Sequence, residues 1–381
     1  MRREDFGLDS PGRLVKVSFP DVDWAFVPDP LPPDWSFPAD LWPLLAEAKQ
    51  EVARLDGAGL HMPAPDLLLR PLQKREALRS SSLEGTYATP QQLLLYELAP
   101  KEPKDTSDPV SAWQEVFNYS KALELGQDLL KELPLSLRLI RNLHGSLLQG
   151  VRGRSKAPGE FRRTQVVIGS DRRFIPPPVP EMTTALDRLE KYIHADGNYD
   201  PLVRCFLVHY QFETIHPFLD GNGRVGRLLL SLMIADSCKL ALPWLYLSEF
   251  FERHKDEYID TLYAVSARGD WTSWIRLCLR ATVAQSKSAI ARLSSLIELR
   301  RKYMQLLGEG SGAIRLTRLV DQLFAAPIVR TASWKKTQGI SYPTAKSDVS
   351  KLLSLGIIQE VPNMYPKTYI APEIYRIAYE V

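Results

Sequence analysis

From Trp42 onward the apolar residues of this chain recur at helical spacing. Leu44, Leu45, Ala48, Val52 and Leu55 fall on one face, and a second helix is predicted over 67–83. Thr89-Pro90 places a cap residue before a proline at the first helical position, which predicts a third helix. Between 108 and 294 the spacing stays helical, over segments near 109–130, 135–150, 180–195, 200–214, 223–237, 250–268 and 271–300. One segment breaks this pattern. In 163–177 two β-prone runs, RTQVVIG and RRFIPP, flank a Gly-Ser-Asp turn, which predicts a hairpin. Beyond Gly308 helices are predicted over 313–325, 331–338 and 343–355, followed by β-prone runs at 357–361 and 367–372. Helix, helix, turn, helix and a two-stranded wing is the order of a winged helix-turn-helix.

Proline clusters at 28–35, 99–103 and 176–180 mark joints, because proline lacks the amide donor and clashes with the preceding helical turn. The first 40 residues are therefore expected to form an irregular arm, and Gly308–Gly312 (GEGSG) a flexible joint. The chain's 381 residues suffice for two or three domains with a sizeable core. A chain that is 24% charged and 45% hydrophobic is not disordered. Cys205, Cys238 and Cys278 lie 33 and 40 residues apart, without the close spacing of zinc or disulfide frameworks, so reduced thiols are expected. Asp236, Lys239 and Pro243 interrupt the longest apolar stretch, 228–247, which speaks against a membrane span. MRREDFGLDS carries no apolar segment after its charges, so it is read as no signal peptide and the chain as cytoplasmic.

The densest chemistry lies in Ile215-His-Pro-Phe-Leu-Asp-Gly-Asn-Gly-Arg-Val-Gly-Arg227. This loop, opening a helix, gathers an imidazole, a carboxylate, flexible glycines and two guanidinium groups. A helix start is an anion site, since its free amides and positive dipole end face the loop. Gly221 and Gly223 let the backbone approach a phosphate, and Arg224 and Arg227, three apart, share a helix face. Asp220 is a hard oxygen ligand of the kind Mg²⁺ accepts beside phosphates, and His216 suits a general base near neutral pH. No Gly-Lys-Ser/Thr follows, so this is not a Walker loop; the alternating ligands of an EF-hand are also missing.

The stretch HPFLDGNGRVGR resembles the Fic motif, HPFx[D/E]GNGRxxR, at every specified position. Pro158–Arg162 and Val166–Pro178 resemble further family segments, and the resemblance runs from about residue 35 to the C-terminus. It implies a mainly α fold: a Fic-type helical core with a β-hairpin flap, plus the C-terminal winged helix. The implied divisions are 1–107, an arm and helical region with an inhibitory motif; 108–284, the catalytic core; 285–312, a connecting helix and linker; and 313–381, the winged helix. The implied activity is transfer of AMP from ATP to a Tyr, Thr or Ser hydroxyl of a target protein, releasing pyrophosphate. By resemblance, His216 is the base, Phe218 a buried anchor, and Asp220 the Mg²⁺ ligand. Gly221, Asn222 and Gly223 form the anion hole, Arg224 and Arg227 position the β- and γ-phosphates, and Val225 and Gly226 complete the nucleotide-binding stretch. The 163–177 hairpin is the flap that pins a target strand. Residues 246–258 line the adenine pocket, with His254 and Tyr258 as candidate contacts in place of the family's Asn-Arg or Asn-Lys.

Ser80-Ser-Ser-Leu-Glu84-Gly85 has capping-box spacing through Ser81 and Glu84, and it also resembles the family's [S/T]xxxE[G/N] inhibitory motif. That resemblance implies that Glu84 pairs with Arg227 and keeps ATP from lying productively, with Ser80 opening the motif. Some braked relatives also remove AMP, and other donors such as UTP, or phosphocholine transfer, stand as alternatives. On the predicted recognition helix, Thr344, Lys346, Ser347 and Ser350 or Lys351 are types that reach bases and phosphates. The formal charge of +3 is uneven: 285–381 holds 14 Lys plus Arg against 7 Asp plus Glu, leaving 34 against 38 in 1–284. A DNA-binding regulator with a nucleotide-sensing core is therefore the rival reading, and a homodimer is implied by the family. His61, His144, His194 and His209 share no comparable constellation, and His209 is expected to be a satisfied core histidine.

Overall fold

A computed structural model of the chain describes residues 1–18, 22–60, 65–150, 154–169, 172–308 and 312–380. The first 40 residues are not an irregular arm. β1 (Gly12–Val17) and β2 (Asp23–Pro28) pair antiparallel, Gly12 opposite Pro28 and Val17 opposite Asp23. The prolines that follow masked two short β-prone runs, Leu14–Val17 and Trp24–Val27, whose pairing buries Ala25 and Phe26 completely.

Three helices follow: α1 (Trp42–Leu60), α2 (Pro65–Leu83) and α3 (Pro90–Leu98). Thr89 caps α3 in a reciprocal box with Gln92, as the Thr-Pro signal predicts. Next come α4 (Pro109–Leu130), α5 (Leu137–Leu147), α6 (Val179–His194), α7 (Pro201–Ile215) and α8 (Asn222–Ser237). α7 and α8 are buried almost all round and pack on each other, with α4 and α5 against α8 and α2 against α4. This places the loop between α7 and α8 at the centre of the helical layers. The predicted 250–268 helix is broken at His254 into α9 (Ser248–Arg253) and α10 (Lys255–Arg268). α11 (Trp271–Leu307) then runs unbroken through the expected boundary at 284/285.

The 163–177 segment forms less sheet than its residues suggest. Ile168 and Phe174 make a single antiparallel bridge, because Pro176–Pro178 have no amide to extend a ladder. The turn residues 170–171 lie outside the described residues, as do His61 and most of the 308–312 joint. β2 supplies what the hairpin lacks: the Phe26 amide donates to Ile175 O at 2.9 Å, and the Phe26 and Phe174 rings lie 5.9 Å apart.

The C-terminal region comprises α12 (Ala313–Ala325), β3 (Ile328–Arg330), α13 (Thr331–Gln338), α14 (Tyr342–Ser354), β4 (Gln359–Glu360), β5 (Thr368–Ile370) and α15 (Pro372–Tyr379). The three strands order β3-β5-β4, all antiparallel; β3 and α15 are additions to the predicted elements. Buried Asp348 holds the helices together, accepting from Arg315 at 2.7 and 2.8 Å and from the Trp334 indole at 3.3 Å. The region docks on α2 and α11: Lys74 reaches Ala325 O at 3.2 Å and Arg75 reaches Tyr379 O at 2.9 Å. Among the described residues no helix is long and apolar enough to cross a membrane.

Candidate active site

His216 ends α7 in the left-handed conformation, φ 50°, ψ 63°, which a non-glycine residue adopts only where its surroundings hold it. Its amide bonds to Phe212 O, and its carbonyl accepts from Arg162 Nε at 2.9 Å. Its Nδ1 lies 3.2 Å from Glu213 O. A carbonyl only accepts, so Nδ1 carries the proton and Nε2 keeps its lone pair. Burial lowers the imidazole pKa to about 4, which leaves the ring neutral at physiological pH.

The loop is tied down from below. Asn222, 2% exposed, accepts from the Phe218 amide at 2.8 Å and donates to Phe218 O at 2.9 Å, so its side chain clamps the loop and leaves only its amide for a ligand. Phe218 is the expected anchor, fully buried and stacked on His144 with ring centroids 3.7 Å apart. His144, which looked isolated in the sequence, accepts from Gly159 N at Nδ1 and therefore donates from Nε2 to Asp220 O at 3.1 Å. Arg162 is buried as well, reaching Thr164 O and Pro177 O besides His216 O, and so joins the loop to the 163–177 segment. Neither role was legible, since both are made by contacts between distant segments.

α8 opens at Gly221, φ 78°, and the first-turn amides of Asn222, Gly223 and Arg224 have no carbonyl four residues back in the helix. The Val225 amide is already bonded to Gly221 O, Val225 is fully buried, and Gly226 O meets His209 Nδ1. Val225 and Gly226 thus pack the α7–α8 contact rather than face a ligand. His209 is the satisfied core histidine expected: with Nδ1 donating, its Nε2 accepts from Tyr258 OH at 2.9 Å.

Both motif arginines are paired with carboxylates. Arg227, 3% exposed, donates to Ser80 Oγ at 2.8 Å, Ser80 O at 2.9 Å and Glu84 Oε1 at 2.7 Å. Burial works against the Arg227 charge, but Glu84 outweighs it and raises the pKa. A Cβ on Gly223 would stand 2.2 Å from Glu84 Oε1, so Glu84 rests against the first turn of α8. Arg224 donates to Glu115 Oε2 at 2.9 Å, with Asp220 Oδ1 at 3.6 Å.

Glu84, His216, Gly223 and Arg227 border a cleft of about 370 Å³, whereas Asp220, Asn222 and Arg224 are not among its lining residues. Its polar side carries Glu84, Glu213, His216, Gly223, Arg227, Lys255 and Tyr258; Ile168, Phe174, Ile259 and Leu262 make an apolar side. Glu213, one turn before His216, escaped the sequence reading; burial raises its pKa to about 8. Lys255 donates to Leu83 O at 2.7 Å, closing the end of α2. Of the two candidate base contacts, Tyr258 lines the cleft with its hydroxyl near His209. His254 is outside the lining, packed on Phe250 with ring centroids 4.3 Å apart. Asp220 is a 46% exposed carboxylate, and among the described residues no cluster of three metal-ligating side chains exists. One exposed carboxylate fits Mg²⁺ that takes its other ligands from phosphates and water.

Comparison with known proteins agrees with this geometry. The Fic/DOC family N-terminal model matches residues 42–128 and the Fic/DOC family model residues 134–234. "Protein adenylyltransferase Fic" of Drosophila grimshawi is 33% identical over 123 residues, 32% of this chain and 24% of the relative. That of Culex quinquefasciatus is 31% identical over 146 residues, 37% of this chain and 27% of the relative. The matches thus span about a quarter of those relatives' length. In fold, the chain is similar to a Fic family protein from Desulfovibrio desulfuricans, TM-score 0.58 at 20% identity, covering 90% of this chain and 98% of that one. It is also similar to Fic-1 from C. elegans, TM-score 0.54 at 22% identity, covering 67% and 76%. Residues 42–128 and 134–234 of this chain thus carry the Fic/DOC family N-terminal and Fic/DOC family domains, on a helical fold shared with solved Fic proteins.

Proposed function

We propose that this chain is a protein adenylyltransferase held inactive by Glu84. The observation that carries the reading is the neutral His216. Its Nδ1–H is committed to Glu213 O and its Nε2 keeps its lone pair, in a cleft that also holds Gly223, in the first turn of α8, and Arg227. In the reaction, the hydroxyl oxygen of a Tyr, Thr or Ser bonds to the α-phosphorus of ATP as the bond to the β-phosphate's bridging oxygen breaks. The hydroxyl proton passes to His216 Nε2, and pyrophosphate leaves. The amides of Asn222, Gly223 and Arg224 hold the phosphate oxygens, and the two arginines offset their charge. Asp220 would hold Mg²⁺, which would supply further neutralisation of phosphate charge. Glu84 occupies the guanidinium that the γ-phosphate would use, so transfer requires it to leave.

The test is incorporation of α-labelled AMP into the protein or a lysate. Glu84→Gly is expected to label well above wild type, and His216→Ala in that background to lose about 10²–10⁴-fold in rate. Equal labelling of Glu84→Gly and wild type would sink the brake, and retained labelling without His216 would overturn the base. Competition by unlabelled UTP separates donors, and release of AMP from pre-labelled protein by wild type would mark removal as a second activity.

The C-terminal region supports a further role in DNA binding. Tyr342, Lys346, Ser347, Ser350 and Lys351 are exposed along α14, and the region beyond residue 284 carries the chain's excess positive charge. Salt-dependent retention of duplex DNA that weakens with Lys346→Ala and Lys351→Ala supports this role, and salt-insensitive binding would refute it.

A further inference from the structure

Arg224 has one short anchor outside its own helix. Its Nη1 donates to Glu115 Oε2 at 2.9 Å, its Nη2 lies 3.6 Å from Asp220, and its Nε is buried without a partner. The pair is well enclosed, the two side chains being 5% and 13% exposed. Glu115 belongs to α4, a different layer from the motif, so the aim of Arg224 is set by the packing of α4 rather than by the loop. The same Oε2 accepts a second hydrogen bond, from Thr86 Oγ1 at 3.2 Å. Thr86 is two residues past Glu84 and its amide bonds back to Ser81 O, so it belongs to the segment that presents the brake. One carboxylate oxygen therefore joins the brake segment to a motif arginine.

We propose that Glu115 is the positioning residue of Arg224: it aims the guanidinium at the phosphate cradle and, through Thr86, steadies the seat of Glu84. The inference rests on the reading of the cleft as a phosphate site. A charge-assisted hydrogen bond between enclosed partners is short and directional, so its loss lets the guanidinium wander. Keeping the acceptor while removing the charge has the opposite effect. Glutamine at 115 can still accept from Arg224, and it no longer offsets the positive charge that draws an anion.

The two substitutions should therefore move one measurement in opposite directions. Calorimetric binding of magnesium tripolyphosphate is compared in Glu84→Gly, in the same protein with Glu115→Ala, and with Glu115→Gln. Glu115→Ala is expected to weaken binding about tenfold, the worth of one bond to a charged group. Glu115→Gln should bind as tightly as the parent or tighter, with KM for ATP following the same order. Thr86→Val in wild type should raise AMP labelling. Parent-like binding by Glu115→Ala overturns the inference, as does a fall shared by Ala and Gln, the mark of a merely structural residue. A parent that binds no tripolyphosphate overturns it together with the phosphate-site reading, whereas one that binds but transfers no AMP sinks only the transferase.

Discussion

Glu84 Oε1 accepts from Arg227 Nη2 at 2.7 Å, and this bond joins the segment just past α2 to the first turns of α8. Burial alone would push the Glu84 carboxyl up, but Arg227 outweighs it and holds the pKa below the ordinary carboxylate range. A depressed acid stabilises the fold at pH above its unfolded value and loses that contribution as pH falls through the folded one. The melting-temperature gap between wild type and Glu84→Gln should accordingly be steady from pH 7 to about 5 and shrink on further acidification. A gap that ignores pH would contradict the pairing.

His216 is displaced in the same direction, but there the shift favours the neutral form. Burial lowers its pKa to about 4, and a general base works only when unprotonated. For Glu84→Gly, kcat/KM should therefore lack the ordinary imidazole limb near pH 6.5 and fall only as pH approaches 4. Removing Glu84, whose charge raises this pKa, does not move the limb upward. An inflection between pH 6 and 7 assigned to the enzyme would remove His216 as the base.

Which parts of this were readable follows from the range of the interactions involved. Helical periodicity is local, so α4, α7, α8 and α12 stand within a few residues of their predicted spans. The motif loop announced His216, Phe218 and Arg227 because their spacing along one turn and one helix start is itself the geometry. Glu115, His144 and Arg162 act across 109, 76 and 54 residues, and no local pattern encodes that. The β1–β2 pair was hidden for a different reason. Six-residue strands carry too few alternations to outweigh the neighbouring prolines, and they are held by each other and by Ile175.

Glu213 gives a prediction that needs no assumption about catalysis. Burial raises its pKa to about 8, so the folded protein keeps it protonated while the unfolded chain releases the proton near the ordinary value of 4.5. The fold then loses stability as pH rises between those limits, by about 1.4 kcal/mol per pH unit at most. Glu213→Gln, neutral throughout, should match wild type near pH 4.5 and be the more stable protein at pH 8 in chemical denaturation. Its Oε1 is buried without a hydrogen-bond partner and stands 2.2 Å from where a Gly226 Cβ would be, so Gly226→Ala should be strongly destabilising in either background.

The helix that leads to Glu84, α2, is braced by a buried ion pair. Arg75 of α2 meets Glu249 of α9 through two bonds, 2.8 and 2.6 Å, and both side chains are under 10% exposed. Removing one partner strands the other charge, so Glu249→Ala should cost about 3–5 kcal/mol. Replacing both by leucine should recover most of that loss in urea titration, because the penalty lies in the uncompensated charge. Arg75 also donates to Tyr379 O, so the Arg75 variant should in addition expose the α15 amides to hydrogen exchange.

Gly223 lies between Glu84 and the start of α8. A methyl group there would lie 2.2 Å from Glu84 Oε1 and 2.9 Å from Arg227 Nη1, distances that force the carboxylate away. The backbone is not the obstacle, because Gly223 sits in the first turn of α8 and outside the positive-φ glycines. Gly223→Ala should therefore break the Glu84–Arg227 bond and erase the pH-dependent stability gap described above. It should nevertheless fail to label as Glu84→Gly does, since the same methyl occupies the space where a phosphate would approach the Gly223 amide. In the Glu84→Gly background no carboxylate remains to clash, so any fall in labelling on adding Gly223→Ala reports the phosphate side of the turn, the Gly223 amide together with the Arg227 guanidinium that the methyl crowds at 2.9 Å. A double variant that labels like Glu84→Gly would mean that the first turn of α8 is not where the phosphates lie.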